Sequence, residues 1–84
     1  MKPIRLSGHA RQQLWYRGAT EEEIDGAIRT EEWTAADLGR LECRKDFPFG
    51  REWNGKVYTM KQVRPIFVEE EGEIVVVTVY TYYF

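Results

Sequence analysis

The sequence is poor in the residues that build disulfides and metal sites. Its 84 residues include one cysteine, Cys43, and one histidine, His9. A single cysteine forms no disulfide within the chain, so stability must come from one small hydrophobic core, where we expect Cys43 as a buried thiol. One histidine and one cysteine also fall short of the Cys and His ligands of a usual zinc site. We therefore predict no metal and no other cofactor.

Long apolar runs and nucleotide-binding motifs are absent as well. No stretch approaches the roughly 20 apolar residues of a membrane-spanning helix, and the N-terminus lacks the apolar segment of a signal peptide. The chain has no phosphate-binding glycine loop, dinucleotide fingerprint or nucleophile elbow. With 43% hydrophobic and 31% charged residues, the composition is that of one globular domain, which we expect in the cytoplasm without membrane contact.

Charge is distributed unevenly along the chain, whose net charge is −2. Residues 1–19 and 39–64 each carry +4, whereas residues 20–38 carry −6 and residues 65–84 carry −4. A polyanion such as RNA can bind if both basic segments lie on one face. Two separate, solvated basic surfaces without a partner explain the same pattern.

Two helices are predicted near the N-terminus. Ser7 is a good N-cap for a first helix that runs to Arg17 and ends at Gly18. Thr20 and Glu23 form a capping box that begins a second helix. Helical periodicity places Arg17 on the apolar stripe of the first helix, so we expect a structural role for it at the helix end.

Alternating hydrophobicity predicts strands from residue 40 onward. Residues 40–47 indicate a half-buried strand, and Asn54-Gly55 is a strong hairpin signal. Residues 56–69 are long for one strand, so we expect a bend near residues 60–62. The stretch "IVVVTVYTYY" is apolar on both faces, which favours a central strand. The predicted fold is α+β, with two N-terminal helices packed on one face of a curved antiparallel β-sheet.

A few polar residues supply the chemistry of a ribonuclease that works without a metal. Such an enzyme needs a base for the 2′-hydroxyl, cations at phosphorus and an acid for the leaving oxygen. His9 lies in the first turn of its helix, where the helix dipole favours neutral imidazole and a base role. Arg64 and Lys61 are candidate phosphate ligands, and Tyr80, which antiparallel pairing brings near Arg64, is a candidate acid or positioning residue. The alternative is that Arg64 and Tyr80 have only structural roles.

Basic and aromatic residues also cluster on the predicted hairpin. The Asn54-Gly55 turn places Trp53 opposite Lys56, and cations beside aromatic rings suit single-stranded nucleic acid. An ordinary cross-strand cation–π pair on a solvated hairpin is the alternative. Together with the basic first helix, the candidate nucleic-acid ligands are Arg11, Arg51, Trp53, Lys56, Tyr58 and Lys61.

Three segments, "LSGHARQQLWYRGATEEEIDGAI", "KQVRPIF" and "EGEIVVVTVYTYYF", together resemble the opening and the closing strands of one bacterial family. That family is called domain of unknown function 4258. It is similar to small toxin-like proteins of the RelE/ParE and BrnT type, so the resemblance implies two N-terminal helices on a curved antiparallel sheet. Many relatives of that fold cleave RNA without a metal and are neutralised by an antitoxin protein, so the resemblance also implies a ribonuclease-like toxin and an antitoxin partner.

Five positions match the family pattern: His9, Arg17, Arg64, Thr78 and Tyr80. The acidic net charge departs from the basic character of ribosome-dependent RelE-type toxins, which argues against ribosome association more than against RNA cleavage. Two other functions stay open from sequence. One is a non-catalytic nucleic-acid-binding module, and the other is a protein-interaction domain. The aromatic segment 80–84 needs cover, which favours a homodimer that pairs through the last strand.

Overall fold

Two helices and six strands follow one another along residues 2–84, the part of the chain that the computed structural model describes. The predicted α+β class, with the helices on one face of a curved sheet, is confirmed. A short 3₁₀ turn at Asp37–Gly39 lies between the second and third strands. In chain order the elements are β1 (Ile4–Leu6), α1 (Gly8–Arg17), α2 (Glu21–Thr30), β2 (Thr34–Ala35), β3 (Leu41–Glu42), β4 (Lys45–Trp53), β5 (Lys56–Glu69) and β6 (Ile74–Tyr83).

Both helices begin where their capping residues predict, and α1 also ends where Gly18 predicts. The Ser7 hydroxyl accepts a hydrogen bond from the Ala10 N–H at 3.1 Å. Gly18 ends α1 in the left-handed conformation, with φ of 74°. At the start of α2, Thr20 and Glu23 form the complete capping box, each side chain bonding the backbone N–H of the other residue. These caps satisfy backbone groups that helix ends would otherwise leave unpaired.

The sheet is mixed, which corrects the prediction of a purely antiparallel sheet. Its strand order is β1-β6-β5-β3-β2, and β4 continues the pairing of β3 along β5. Strand β1 runs parallel to β6, and the Ser7 N–H donates to Val76 O at 2.9 Å. Leu6 therefore belongs to a strand and not to the apolar stripe of α1. The last strand lies between β1 and β5, as predicted for a central strand.

The strand predicted over residues 40–47 is interrupted once. Leu41 pairs with Phe67 and Lys45 pairs with Val63 in one continuous register. The position between them on β5 is Pro65, whose backbone has no N–H to donate. The hydrogen-bond ladder therefore breaks there and separates β3 from β4.

Strand β5 is continuous, so the predicted bend near residues 60–62 is wrong. Those residues pair with β4 on one side and with β6 on the other, and two pairing partners hold the strand extended. The irregularities lie in the partner strands instead. Strand β4 bulges between Pro48 and Arg51, where Gly50 has φ of 62°, and β6 bulges at Val77.

The hydrophobic core lies between the helices and the sheet. Trp33 covers its end, with its ring edge against Phe67 at 5.0 Å between centroids and its indole N–H bonded to Ile28 O. Cys43 is buried as predicted, and burial raises the pKa of its thiol to about 12. The buried core residues are Ala10, Ala19, Ile24, Ala27, Ile28, Cys43, Val63, Phe67, Ile74, Val76 and Val79.

Candidate functional site

Arg64 and Tyr80 lie side by side on the open face, which is the face of the sheet that the helices do not cover. The register pairs Arg64 of β5 directly with Tyr80 of β6. The hairpin across Gly72 predicts that the two residues approach each other, and the bulge at Val77 places them opposite one another. The neighbouring residues Pro65 and Val79 point to the other face and into the core. Alternation along the two strands therefore places both candidate residues outside the core.

Two guanidinium groups contact the ring of Tyr80. Arg64 Cζ lies 5.5 Å from the ring centroid, and Arg17 Cζ lies 5.0 Å from it. Arg17 comes from the end of α1, on the side of β6 opposite to Arg64. The structural role expected for Arg17 is carried by its carbonyl oxygen, which accepts hydrogen bonds from the hydroxyls of Thr81 and Tyr83, each at 2.7 Å. The Arg17 side chain takes no part in these hydrogen bonds and contacts Tyr80 on the open face.

The guanidinium of Arg64 is held by a buried carboxylate. Its Nε donates to Glu42 Oε2 at 3.0 Å, Nη2 donates to the same oxygen, and Nη1 donates to the Tyr82 hydroxyl at 3.1 Å. The hydrogen bonds from Arg64 hold the pKa of Glu42 below its usual range, and those to Glu42 raise the pKa of Arg64. Arg44 also approaches Glu42, at 3.5 Å. Arg64 is therefore fixed in one orientation and permanently charged.

A cleft of about 420 Å³ opens beside this pair. Strands β3, β5 and β6 form its floor, and the segment from β2 to the 3₁₀ turn forms its wall. The lining contains two arginines, Arg40 and Arg64, and two carboxylates, Asp37 and Glu42. Arg17 adds a third cation next to Tyr80. The lining residues are Ala35, Ala36, Asp37, Leu38, Arg40, Glu42, Arg64, Ile66, Thr78 and Tyr80.

His9 is exposed on α1 and is not one of the residues that line the cleft. One helical turn further on, the Gln13 side chain accepts hydrogen bonds from the Thr78 hydroxyl at 2.6 Å and from the Val79 N–H at 2.8 Å. Gln13 thereby closes the edge of β6 beyond the end of β1. Residues one and two turns apart share a helix side, so His9, Gln13 and Arg17 follow one row along this edge. Thr78, bonded to the middle of that row, lines the cleft.

The hairpin between β4 and β5 has the predicted register, with Trp53 opposite Lys56 and Arg51 opposite Tyr58. Its aromatic rings, however, bind to the rest of the protein. Trp53 stacks on Tyr83 with 4.9 Å between ring centroids, and Tyr58 tilts against the same ring at 5.7 Å. The cations Arg51 and Lys56 are exposed, together with Glu52 and Val57, and Lys56 lies over the ring of Tyr58 at 5.5 Å. The hairpin offers charge but little free ring surface.

Lys61 and Arg11 lie away from the cleft. Lys61 is on the helix-covered side of β5 with 2% of its surface exposed, and its ammonium bonds Glu23 at 2.8 Å and the Gly18 carbonyl at 2.9 Å. This burial corrects the expectation that Lys61 binds phosphate. Arg11 pairs with Glu21 at 2.9 Å in a separate groove between β1 and α2. Around the cleft, the first basic segment contributes Arg17 and the second contributes Arg40, Arg44 and Arg64.

Three residues of this site were not predicted from the sequence: Arg40, Glu42 and Tyr82. For Tyr82 a signal existed, because it has the same strand parity as Tyr80. Arg40 and Glu42 depend on the pairing of β3 with β5, which joins segments more than twenty positions apart and which the chain's own alternation does not specify.

Comparisons with known proteins add no relationship, since no family model, no curated protein and no solved structure matches this chain. Neither helix within residues 2–84 is long and apolar enough to cross a membrane. Over the same residues, the side chains of His, Cys, Asp and Glu form no group of three or more arranged to hold a metal ion.

Proposed function

We propose that this protein is a ribonuclease that cleaves RNA at the open-face cleft without a metal ion. The observation that carries the proposal is the contact of two guanidinium groups, from Arg17 and Arg64, with the ring of Tyr80 at the cleft. Arginine is suited to phosphate because its planar group presents several fixed donors. A cytoplasmic location is part of the proposal, because RNA is present there.

Arg64, Arg17 and Arg40 have the role of phosphate ligands in this proposal. Arg64 is oriented by Glu42, so it loses little freedom when a phosphate binds. Positive groups fixed in advance stabilise the charge that develops on the phosphate oxygens during the reaction. The burial of Lys61 leaves this task to the three arginines.

Proton transfer falls to His9 and Tyr80. His9 removes the proton of the 2′-hydroxyl, the 2′-oxygen forms a bond to phosphorus, and the bond from phosphorus to the 5′-oxygen breaks. The departing 5′-oxygen takes a proton from Tyr80 or from a water that Tyr80 positions, which leaves a 2′,3′-cyclic phosphate and a 5′-hydroxyl. His9 is exposed and lies on the same side of α1 as Gln13 and Arg17, which supports its part in this scheme.

The family resemblance is part of the same proposal. Four of its five matching positions meet in one region: Arg64, Thr78 and Tyr80 line the cleft, and Arg17 contacts Tyr80. The fifth, His9, is outside the lining, on the side of α1 that also carries Arg17. The toxin-like proteins that the family is similar to are neutralised by an antitoxin, and we propose the same for this protein. A small DNA-binding protein encoded next to it should then copurify with this chain and suppress cleavage.

The test measures cleavage of single-stranded RNA with a chelator present. We expect cleavage by the wild type, with products that end in a cyclic phosphate. His9→Ala and Arg64→Ala should each slow it by about 10²- to 10⁴-fold, and Tyr80→Phe should slow it while the ring keeps its place.

Arg5→Ala is the matched control for the loss of an arginine. Arg5 lies on β1 and pairs with Glu73 at 3.0 Å, away from the cleft, so this variant should cleave like the wild type. Absence of cleavage by the wild type, or equal rates for wild type and the three cleft variants, would contradict the proposed function.

A further inference from the structure

Aromatic residues recur at every second position of β6 and its end. Tyr80, Tyr82 and Phe84 all belong to the open face, opposite Arg64, Gln62 and Met60 of β5. The last of them is as firmly paired as the others, because Phe84 and Met60 exchange two backbone hydrogen bonds of 2.9 and 3.1 Å. The three rings therefore form a row that begins at the cleft and ends near the hairpin.

The spacing of this row differs from that of stacked bases. Alternate residues of a strand are roughly 6.6 Å apart, whereas bases along one strand of a duplex are about 3.4 Å apart. Bases that contact successive rings of the row must therefore be unstacked from each other. Unpaired nucleotides can adopt that arrangement and stack their bases on aromatic side chains, but nucleotides within a duplex cannot.

The rings differ in how much of their surface is free. Tyr80 is contacted by the guanidinium groups of Arg17 and Arg64, so positive charge is concentrated at that position and attracts phosphate. Tyr82 and Phe84 are 44% and 55% exposed. The hydrogen bond from Arg64 Nη1 to the Tyr82 hydroxyl orients the first of these two rings. Two rings are thus open to bases beside one position that attracts phosphate.

Charge on the open face favours a nucleic acid over a second copy of the chain. Its arginines are Arg17, Arg40 and Arg64, together with Arg44, which approaches Glu42. Its carboxylates are Asp37, Glu42 and Asp46, and Asp46 is bonded to Gln62. With four arginines against three carboxylates, the part of the face around the cleft is net positive on a chain of net charge −2. Two copies that met through this face would bring like charges together, whereas phosphates would be attracted.

We infer that unpaired nucleotides bind along β6, with bases stacked on Tyr82 and Phe84 and the backbone phosphate beside Arg64 and Arg17. The inference extends the proposed function by naming single-stranded RNA as its substrate, and it rests on that function only for the choice of RNA. Because stacking accepts any base, binding depends on strandedness and not on sequence.

The experiment measures the anisotropy of a short fluorescein-labelled 2′-O-methyl RNA, which binds but lacks the 2′-hydroxyl needed for cleavage. Tyr82→Ala and Phe84→Ala should each weaken binding on the order of 5- to 100-fold, and Tyr82→Phe should bind within about twofold of the wild type because it keeps the ring. Trp15→Ala is the control, since Trp15 is an 85% exposed aromatic residue of α1 and should not affect binding. The same sequence as a duplex should bind at least about tenfold more weakly.

Two results would overturn the inference: unchanged binding in both alanine variants, or equal affinity for single strand and duplex. A wild-type dimer that Phe84→Ala converts to a monomer, measured by light scattering, would assign the surface to a second copy and overturn it too. Tyr82→Leu, which keeps apolar volume without an aromatic ring, replaces Tyr82→Ala if that variant unfolds. Ring-dependent binding without cleavage of ordinary RNA contradicts only the proposed enzyme, and cleavage without ring-dependent binding contradicts only the inference.

Discussion

Arg64 is bound to the carboxylate of Glu42 on the open face of the sheet, with Arg64 Nε 3.0 Å from Glu42 Oε2. Glu42 is 8% exposed and also contacts Arg44. Glu42→Gln keeps the shape but removes the charge that both arginines face. We expect the free energy of unfolding to fall by about 1–3 kcal/mol in a urea titration.

The same variant should bind RNA more tightly than the wild type, because Glu42→Gln raises the net charge of the cleft by one. Binding should also become more dependent on salt concentration. Glu73→Gln, which disrupts the exposed pair with Arg5, is the control and should change stability little. A stable Glu42→Gln protein with unchanged RNA affinity would show that this ion pair matters neither to the fold nor to phosphate binding.

The Glu42–Arg64 pair also predicts how stability depends on pH. Hydrogen bonds from Arg64 lower the pKa of Glu42 in the folded state from its ordinary value of 4.5. A lowered folded pKa means that the contribution is complete above the ordinary value and is lost as pH falls through the folded value. The difference in unfolding free energy between wild type and Glu42→Gln should therefore be constant near neutral pH and shrink below pH 4.5.

Glu31 and Glu73 also have pKa values lowered by hydrogen bonds, from Lys45 and Arg5, so the wild type alone loses stability in acid for several reasons. Subtracting the curve of Glu42→Gln, measured by urea titration at each pH, isolates the Glu42 contribution. A difference that stays constant down to pH values well below 4.5 would contradict the lowered pKa.

The features that the sequence predicts are those specified by neighbouring residues. Ser7 and Thr20 begin helices because a cap needs only the next few residues. The positive φ values of Asn54 and Gly55 follow from the turn that this dipeptide favours. The approach of Arg64 to Tyr80 is predictable only in part. The short turn fixes the register next to it, which would place Arg64 opposite Val79, and the bulge at Val77 shifts the pairing by one residue to Tyr80.

The features that could not be predicted from the sequence depend on segments that are far apart along the chain. Strand β1 is three residues long, too short for alternation to be visible, and it forms against the end of the chain. Lys61 is buried because Glu23 and the Gly18 carbonyl reach it from the helices, and nothing near Lys61 in sequence indicates them. The break opposite Pro65 likewise needs knowledge of which strand lies beside β5.

The thiol of Cys43 should react slowly in the folded protein. It is 2% exposed, and burial raises its pKa to about 12. At pH 8 its thiolate population is lower by roughly 10³-fold than that of a thiol with the ordinary pKa. We expect maleimide to label native Cys43 at least about a hundredfold more slowly than the urea-unfolded protein.

The double variant Cys43→Ser, Thr34→Cys carries its thiol at an exposed position of β2 and should react fast in both states. Equal rates at the two native positions would mean that the core opens around Cys43.

Gly18 is required by both its backbone and its surroundings. Its φ of 74° is one that residues with a Cβ rarely adopt, and a Cβ there would collide with the hydroxyl of Tyr83 and with the ring of Trp53 at 2.6 Å. Gly18→Ala should therefore lower the free energy of unfolding by about 2–4 kcal/mol.

Gly26→Ala is the matched control, because Gly26 lies within α2 and, apart from the backbone of its own helix, no atom lies within 4 Å of an added Cβ. There alanine should stabilise the helix by about 0.5–1 kcal/mol. Opposite signs for the two substitutions in urea titrations are the expected result. Similar small effects for both would show that Tyr83 and Trp53 are not held against the end of α1.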